Sequence, residues 1–532
     1  MTRIGRLVPL LALAALTGSG CKSTDAAPTP GDYAPARFND SDRTRKLETA
    51  MPRIDSLFSA FAIGNHVPGI AYGILVDGRL VHTGTVGLRD IANNAPVDSA
   101  SVFRIASMTK SFTSLSILKL RDEGKLALDD LAERYVPELA GLAYPTIDSP
   151  RLTIRHLLSH SEGFPEDNPW GDQQLDRTDD EMASMMRNGI PFSNPPGLAY
   201  EYSNYGFAIL GRIVARVSGQ PYATYLREQI LVPLGMTSTT MEAAQVPTDR
   251  LARGYRWEDE KWKDEPPLPD GAFGSMGGML TSIDDLGRWV AFLMSGWPPR
   301  NEPETGPVQR ASVREMQQIW RSRPARVTRT GRDSVITLNA SGYAFGLRIT
   351  QTCEFGHVVA HSGGLPGYGS QMRWLPDYGV GIIAMGNLTY TGWDGVITQA
   401  LDAMSRTGGL MPRDPAPSAA LTSARDAVSR LVASWDDRLA DSVAAMNLYL
   451  DESKDRRQRA IASLLSEVGQ CRNDGPFAVE NALRGQWIMR CDRGALRVAI
   501  TLAPTMPPKV QYLNVRRVEP DESLAPAAVC PK

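Results

Sequence analysis

The stretch FRIASMTK, residues 103–110, leads from an irregular segment into a helix. Phe112 and Leu115 follow at helical spacing and begin one apolar face. We expect Ser107 in or near the first turn, with Lys110 on the same face. A serine there has helix N-terminal amides beside any oxyanion it creates, and a desolvated lysine one turn away can accept its hydroxyl proton. The stretch therefore indicates a nucleophile and its base.

The Ser-x-x-Lys spacing alone is weak evidence, because the chain contains it three times. The three matches are Ser19/Lys22, Ser107/Lys110 and Ser116/Lys119. The first match lies in a leader-like segment. The third lies nine residues beyond the second on the same predicted helix, which at about 100° per residue is the opposite face. The choice between them therefore depends on the rest of the chain.

The composition is that of an ordinary globular protein. The 532 residues are 42% hydrophobic and 22% charged, and the formal net charge is −2. This charge balance gives no electrostatic case for binding nucleic acid or an anionic membrane surface. The length is sufficient for one large domain with a smaller one attached.

Residues 1–21 have the pattern of an export signal. Arg3 and Arg6 precede an apolar core at 7–16, and small residues follow before Cys21. This end resembles a bacterial lipobox, in which the cysteine is lipidated, although Gly18 stands where that motif prefers leucine. The alternative is simple signal cleavage. Either outcome predicts a protein beyond the cytoplasmic membrane, in the periplasm or cell envelope. Lipidation would make the lipid on Cys21 its only membrane contact, and simple cleavage would leave it with none.

Export permits disulfide bonds among the remaining cysteines. These are Cys353, Cys471, Cys491 and Cys530. We expect Cys471 and Cys491 to pair because they are close in sequence within one C-terminal region. None of the cysteines has metal-finger spacing.

Strand-like runs occur at both ends of the region 41–405. A hairpin is predicted at 69–83, around the turn Asp77-Gly78. Later runs are predicted at 343–350, 357–360, 370–375 and 379–385, with residues 363–369 as a tight glycine-rich loop. Helical patterns lie between, at 154–160, 205–217 and 284–294. The simplest fold is α+β: one antiparallel sheet built from both ends, flanked by helices, with an inserted helical lobe.

Two Pro-rich segments divide the chain. Residues 22–40 have the composition of a tether between the signal and the main domain at 41–405. Residues 406–422 form a second linker. Beyond it, residues 423–532 are predicted to form a small α+β domain, with a helical part up to 468 and then strands.

Three local patterns occur in order within the main domain. Ser107-x-x-Lys110 is followed by Tyr202-Ser203-Asn204 and then by His361-Ser362-Gly363. Together they resemble the signatures of the serine β-lactamase and penicillin-binding-protein family. The Tyr-x-Asn form is similar to class C β-lactamases and CubicO-type hydrolases. Residues 152–163, 275–279 and 282–286 add to the resemblance, which covers about residues 45–400.

The resemblance implies a role for each residue. Ser107 would be the acylated nucleophile, and Lys110 would hold the proton network. Tyr202 would act as base if a nearby lysine charge lowers its pKa, and would later return the proton to the leaving group. The amides of Ser107 and Gly364 would form the oxyanion hole. Substrate would contact Asn204 and the segment His361, Ser362, Gly363 and Gly364.

His361 is the main departure from the Lys-Thr-Gly form of the third signature. A histidine with a pKa near 6.5 is mostly neutral at pH 7, whereas lysine is a fixed cation. We therefore expect catalysis or substrate affinity to respond to pH around 6–7. Carboxylate-bearing β-lactams become weaker candidates, and esters or peptides without that carboxylate become stronger ones.

Other readings of the sequence remain open. The spacing of His156/His160 and of His357/His361 invites a zinc site, but no His-Glu-x-x-His occurs, and we expect neither metal nor cofactor. The Gly-x-Ser-x-Gly elbow of α/β-hydrolases is absent. The functional prediction is hydrolysis of a D-amino-acid peptide, ester or β-lactam, with a small or peptidoglycan-derived substrate. The rival is a non-catalytic envelope protein that binds peptidoglycan or a partner through the same pocket.

Overall fold

A computed structural model describes residues 33–330 and 335–525. The predicted export signal, Cys21, most of the predicted tether and Cys530 lie outside these residues. Within the described ranges, no helix has both the length and the apolar composition needed to cross a bilayer.

The main domain is organised by one antiparallel sheet of ten strands. The strands are β1 Gly69–Val76, β2 Arg79–Asp90, β3 Ala95–Pro96, β8 Arg321–Ser322, β9 Arg326–Thr330, β10 Val335–Tyr343, β11 Arg348–Thr352, β12 Val358–Leu365, β13 Tyr368–Leu375 and β14 Val380–Gly386. Their order across the sheet is β3-β2-β1-β14-β13-β12-β11-β10-β8, and β9 pairs with β10. Two short ladders lie outside it, β4 Phe103–Arg104 with β7 Leu280–Thr281 and β5 Tyr255–Glu258 with β6 Lys261–Asp264.

The two ends of the domain meet at the pairing of β1 with β14, which runs from Ile70 opposite Gly386 to Val76 opposite Val380. Every residue of β1 is buried, because helices cover both faces of the sheet at this point. The sequence-based prediction of one antiparallel sheet built from both ends is confirmed.

Helices occupy both faces of the sheet and the inserted lobe. The main-domain helices are α1 Arg43–Glu48, α2 Met51–Gly64, α3 Thr109–Asp122, α4 Ile154–Leu158, α5 Asp179–Arg187, α6 Asn204–Ser218, α7 Tyr222–Leu226, α8 Gly274–Gly277, α9 Ile283–Met294, α10 Arg310–Glu315 and α11 Asp394–Ser405. Helices α2 and α11 cover one face. On the other face, α9 and α3 share one apolar core with the helical lobe, so the lobe is continuous with the domain.

Two predicted elements differ from the structure because the conformation of a glycine cannot be read from the sequence. The predicted strand at 343–350 is interrupted, since Gly346 has a φ of +68° and passes so close to α3 that a Cβ there would lie 2.5 Å from the carbonyl oxygen of Lys110. The predicted loop at 363–369 is instead a hairpin, in which Leu365 pairs with Tyr368 across a two-residue turn. Its glycines permit close packing of extended strands, as described below.

The C-terminal region forms its own core of helices and a five-stranded sheet. Its elements are α12 Ala419–Ala433, α13 Asp437–Val443, α14 Leu448–Asp451, α15 Lys454–Val468, β15 Cys471–Arg472, β16 Phe477–Asn481, β17 Arg484–Cys491, β18 Gly494–Leu502 and β19 Val510–Val518. The predicted disulfide between Cys471 and Cys491 is confirmed and joins β15 to β17.

Candidate active site

Ser107 lies in a single 3-10 turn, Ala106–Met108, at the entry to α3. Ala106 has a φ of +48°, a strained conformation for a residue other than glycine. Neighbouring hydrogen bonds hold this conformation: Ile105 donates its amide to the Met279 carbonyl, and Ser370 donates its hydroxyl to the Ile105 carbonyl at 2.8 Å. The nucleophile candidate is therefore fixed from two sides by the rest of the domain.

Lys110 follows one turn later and is fully buried. Its Nζ lies 3.1 Å from Ser107 Oγ, 2.6 Å from Asn204 Oδ1 and 2.7 Å from the Met276 carbonyl oxygen. Burial lowers the pKa of Lys110 from 10.5 to about 7, although the Asp172 carboxylate opposes this shift.

The hydrogen-bond partners of Lys110 determine which group can give it a proton. A neutral amine has two N–H donors and one lone pair. Asn204 Oδ1 and the Met276 carbonyl can only accept, so they use the two donors. The lone pair is then left for the hydroxyl of Ser107. The arrangement fits a neutral lysine acting as base toward this serine.

Tyr202 packs beside this pair, with its ring centroid 4.7 Å from Lys110 Nζ. Burial raises the pKa of Tyr202 well above 10, while interactions with the Ser107 side chain and Arg348 act in the opposite direction. The condition that the sequence analysis set for Tyr202 as base, a pKa lowered by a nearby lysine charge, is not met, because burial outweighs the interactions that lower the pKa. Tyr202 is therefore a neutral phenol at rest and a proton donor rather than the first base.

Asn204 is held by the start of α6. Ser203 caps the helix by accepting from the Gly206 amide, and Asp167 accepts from the Asn204 amide at 2.6 Å. The Asn204 side chain donates to Asn168 Oδ1 and accepts from Lys110. These contacts orient its amide toward the Ser107–Lys110 pair.

Strand β12 brings the third sequence signature to the same place. It pairs with β11 only over Val358 to Ala360, while its pairing with β13 continues to Leu365. The end of β12 therefore has an edge with no strand beside it in the described part of the chain. One face of this segment packs on the turn before Ser107, where a Cβ on Gly363 would lie 2.1 Å from the Ile105 carbonyl oxygen. Only glycine permits this approach.

The other two members of this signature face different surroundings. The Ser362 side chain is exposed, and Gly364 lies against the ring of Tyr390. We call the space bounded by Ser107, Asn204 and the free edge of β12 the Ser107 cleft.

His361 is buried under the cleft. Its Nδ1 lies 2.7 Å from the Ser362 carbonyl oxygen, which can only accept, so Nδ1 carries the hydrogen and Nε2 accepts from the Tyr343 hydroxyl at 2.9 Å. Burial, followed by the charges of Arg348 and Lys110, holds the pKa of His361 well below 6.5. The expectation that this histidine titrates around pH 6–7 is wrong, because its surroundings disfavour the charged form.

Arg348 supplies a fixed positive charge near the site, which His361 does not. It begins β11 opposite Ala360, and its guanidinium carbon lies 5.7 Å from the Tyr202 ring centroid. Among the described residues, no carboxylate lies within ion-pair distance of it, and its buried Nε has no hydrogen-bond partner. No motif marked this arginine. Only the register of β11 against β12 reveals it, and sequence does not give that register.

Other residues of the site also lacked a sequence signal. Asp167, Asn168 and Asp172 lie in the irregular lobe, Tyr343 ends β10, and Tyr390 follows β14. Their side chains reach the site only through the tertiary fold.

The competing motifs lie elsewhere. Ser116 donates to the Phe112 carbonyl within α3, and Lys119 donates to the Pro307 carbonyl. Tyr512-Leu-Asn514, a second Tyr-x-Asn, lies in β19 of the C-terminal region. A cavity of about 360 Å³ between α2 and α11 lies on the opposite face of the sheet from Ser107. In residues 33–330 and 335–525, no group of three or more potential metal-ligating side chains comes together.

The fold and the site define a class of protein, one with the β-lactamase and transpeptidase architecture and a Ser–Lys pair at its site. The family model described as Beta-lactamase matches residues 54–404, and the chain belongs to that family. The resemblance drawn from the three signatures is thereby confirmed.

Curated relatives are distant. Protein flp of Staphylococcus aureus strain COL is 27% identical over 347 residues, which are 65% of this chain. The chain spans only 64% of the length of that relative. Beta-lactamase-like protein 2 of Dictyostelium discoideum is 30% identical over 279 residues, 51% of this chain and 50% of that protein.

Among solved structures, the octameric penicillin-binding protein homologue from Pyrococcus abyssi is similar in fold. Its TM-score is 0.57 at 20% identity, and the match covers 89% of this chain and 91% of that chain. At this identity the likeness supports the fold alone.

Proposed function

We propose that this protein is an exported serine hydrolase that cleaves amide or ester bonds through an acyl-enzyme on Ser107. The observation that carries the proposal is the contact of Lys110 Nζ with Ser107 Oγ at 3.1 Å, combined with a lysine pKa of about 7. A lysine in this state is half deprotonated near neutral pH, so it can serve as a base without a separate histidine.

In the acylation step, Ser107 Oγ attacks the substrate carbonyl carbon and its proton passes to Lys110. The carbonyl oxygen becomes an oxyanion, for which the amides of Ser107 and Gly364 are the candidate donors. When the intermediate collapses, the bond to the leaving group breaks and the leaving atom takes a proton from Tyr202. Lys110 then returns its proton to Tyr202, so the proton balance closes. Water releases the acyl group by the reverse sequence of proton transfers.

Arg348 narrows the substrate class. Its guanidinium lies beside Tyr202, which serves the leaving group, and has no carboxylate of the protein paired with it in the described ranges. An unpaired, partly buried guanidinium favours a substrate anion. The proposed substrates are therefore amides with a carboxylate on the leaving-group side, such as D-amino-acid peptides or β-lactams. The sequence favoured uncharged esters because His361 is mostly neutral at pH 7, and the charge of Arg348 favours carboxylate-bearing substrates instead. A peptidoglycan-derived peptide is the substrate type that suits an envelope location.

The experiment is covalent labelling with a fluorescent alkyl phosphonate and a fluorescent penicillin. We expect wild type and Ser116→Ala to be labelled and Ser107→Ala to remain unlabelled by both probes. Folded wild type that takes neither probe would favour the non-catalytic binding protein. If Ser116→Ala lost labelling while Ser107→Ala kept it, the assignment of Ser107 as the nucleophile would be wrong.

A further inference from the structure

Asp172 lies at the edge of the Ser107 cleft and, apart from its effect on the pKa of Lys110, has no part in the chemistry described so far. It belongs to the 3-10 turn Gly171–Gln173 of the helical lobe. The preceding Gly171 packs on Asn204 so tightly that a Cβ there would lie 2.7 Å from Asn204 Nδ2. Asp172 is therefore next to Asn204, the residue that accepts a hydrogen bond from Lys110. Its residue surface is only 3% exposed.

Tyr390 approaches the same carboxylate from the sheet. Its φ of +52° is strained for a tyrosine, and its amide donates to the Tyr368 carbonyl at 3.1 Å, at the turn of the β12–β13 hairpin. Its ring covers Gly364, where a Cβ would lie 2.7 Å from the ring. Its hydroxyl donates to Asp172 Oδ2 at 3.0 Å. This hydrogen bond joins the helical lobe to the hairpin that carries the candidate oxyanion amide.

The carboxylate of Asp172 is short of positive partners. In the described part of the chain, no Lys, Arg or His nitrogen lies within ion-pair distance of it. Burial raises the pKa of Asp172, which shows that its charged form is costly here. The strongest charge interaction that opposes this shift is with Lys110, which must be neutral to act as base. A buried carboxylate satisfied by one phenol is costly unless a cation completes it. A bound ligand with a protonated amine would supply that cation.

The charged groups lie on two sides of the site. Arg348 lies beside Tyr202, whereas Asp172 lies beside Asn204 and bonds to Tyr390, whose ring covers Gly364. In the proposed reaction the leaving group departs beside Tyr202, which leaves the side of Asp172 for the acyl part. We propose that Asp172 binds a protonated amine on the acyl part of the substrate and that Tyr390 positions the Asp172 carboxylate. The substrate class is an aminoacyl amide with a free amino group near the scissile carbonyl. This inference rests on the proposed function and deepens it.

The test compares matched substrates, alanyl p-nitroanilide and N-acetylalanyl p-nitroanilide, in both the D and L series. The readout is the ratio of kcat/KM for the free amine to that for the acetylated compound, with active sites counted by phosphonate labelling. We expect wild type to favour the free amine. Asp172→Asn should lower the ratio by roughly 10- to 100-fold, the usual worth of a hydrogen bond to a charged group. Tyr390→Phe keeps the ring and should lower the ratio less.

Asp176→Asn is the matched control, because Asp176 is an exposed aspartate four residues along the same lobe. It removes the same charge and should leave the ratio at the wild-type value. A wild-type ratio near one, an equal loss for both substrates in Asp172→Asn, or an equal fall in the ratio in Asp176→Asn would each overturn the proposal. The count of active sites comes before the kinetic comparison. If the wild-type protein took up no phosphonate, the proposed function would be overturned together with the role of Asp172.

Discussion

The acylation rate of Ser107 should follow the deprotonation of Lys110. Burial lowers the pKa of this lysine to about 7, and its neutral form is the base. The rate of acylation should therefore rise with pH through about 7 and reach a plateau above it. His361 should add no second step in this range, since its pKa lies well below 6.5.

The magnitude follows from the same value. A lysine with a pKa of 10.5 is only about 0.03% neutral at pH 7, whereas one with a pKa of about 7 is half neutral, a gain of roughly 1,000-fold in the reactive form. At pH 5 the neutral fraction falls to about 1%, so the rate constant should be about 100-fold below its plateau.

The assay is the second-order rate constant for labelling by an uncharged alkyl phosphonate between pH 5 and 10. The probe does not titrate, so the profile reports the enzyme. A profile that is flat over this range would refute the role of Lys110. A rate that keeps rising to pH 10 would assign the base to Tyr202 or to a lysine of ordinary pKa.

Two charge variants should move the midpoint of this pH–rate profile in opposite directions. Asp172 raises the pKa of Lys110 and Arg348 lowers it. Asp172→Asn should therefore shift the midpoint to lower pH, and Arg348→Gln should shift it to higher pH. Movement of both variants in one direction would contradict this electrostatic account.

Three further predictions concern other parts of the molecule. Gly363→Ala should slow phosphonate labelling and destabilise the domain by about 1–3 kcal/mol in thermal denaturation, because its Cβ would lie 2.1 Å from a carbonyl oxygen. Gly356→Ala is the control and should do neither, because the space around Gly356 is open. Arg348→Gln should lower kcat/KM for carboxylate-bearing substrates by roughly 10- to 100-fold relative to neutral esters, and an equal loss for both would contradict its proposed role. Replacing Cys471 and Cys491 together by serine opens a bridge across a sequence separation of 20, and should cost the C-terminal region about 3 kcal/mol in denaturant unfolding without changing the labelling rate.

The sequence predicted those features that depend on local pattern. The hairpin at 69–83 was predictable because an Asp-Gly turn joins two apolar runs, and helix α9 because its apolar residues recur at helical spacing. Ser107, Lys110 and Asn204 were found because their spacing and order match a family signature, and the structure brings the three side chains into contact.

The sequence could not give properties that arise from burial and strand register. Arg348 reaches the site only because β11 pairs with β12 at Ala360. The pKa values of Tyr202 and His361 were misjudged because their direction depends on desolvation, which requires the packed core. Gly363 was assigned to a loop because sequence cannot distinguish a glycine that turns the chain from one that admits a close neighbour.

The most direct test of the central claim is to locate the covalent acyl group by peptide-mapping mass spectrometry after reaction with a fluorescent penicillin or a phosphonate. We expect one adduct, on the peptide that contains Ser107, and none in Ser107→Ala. An adduct on Ser116 or on another residue, or folded wild type without any adduct, would contradict it.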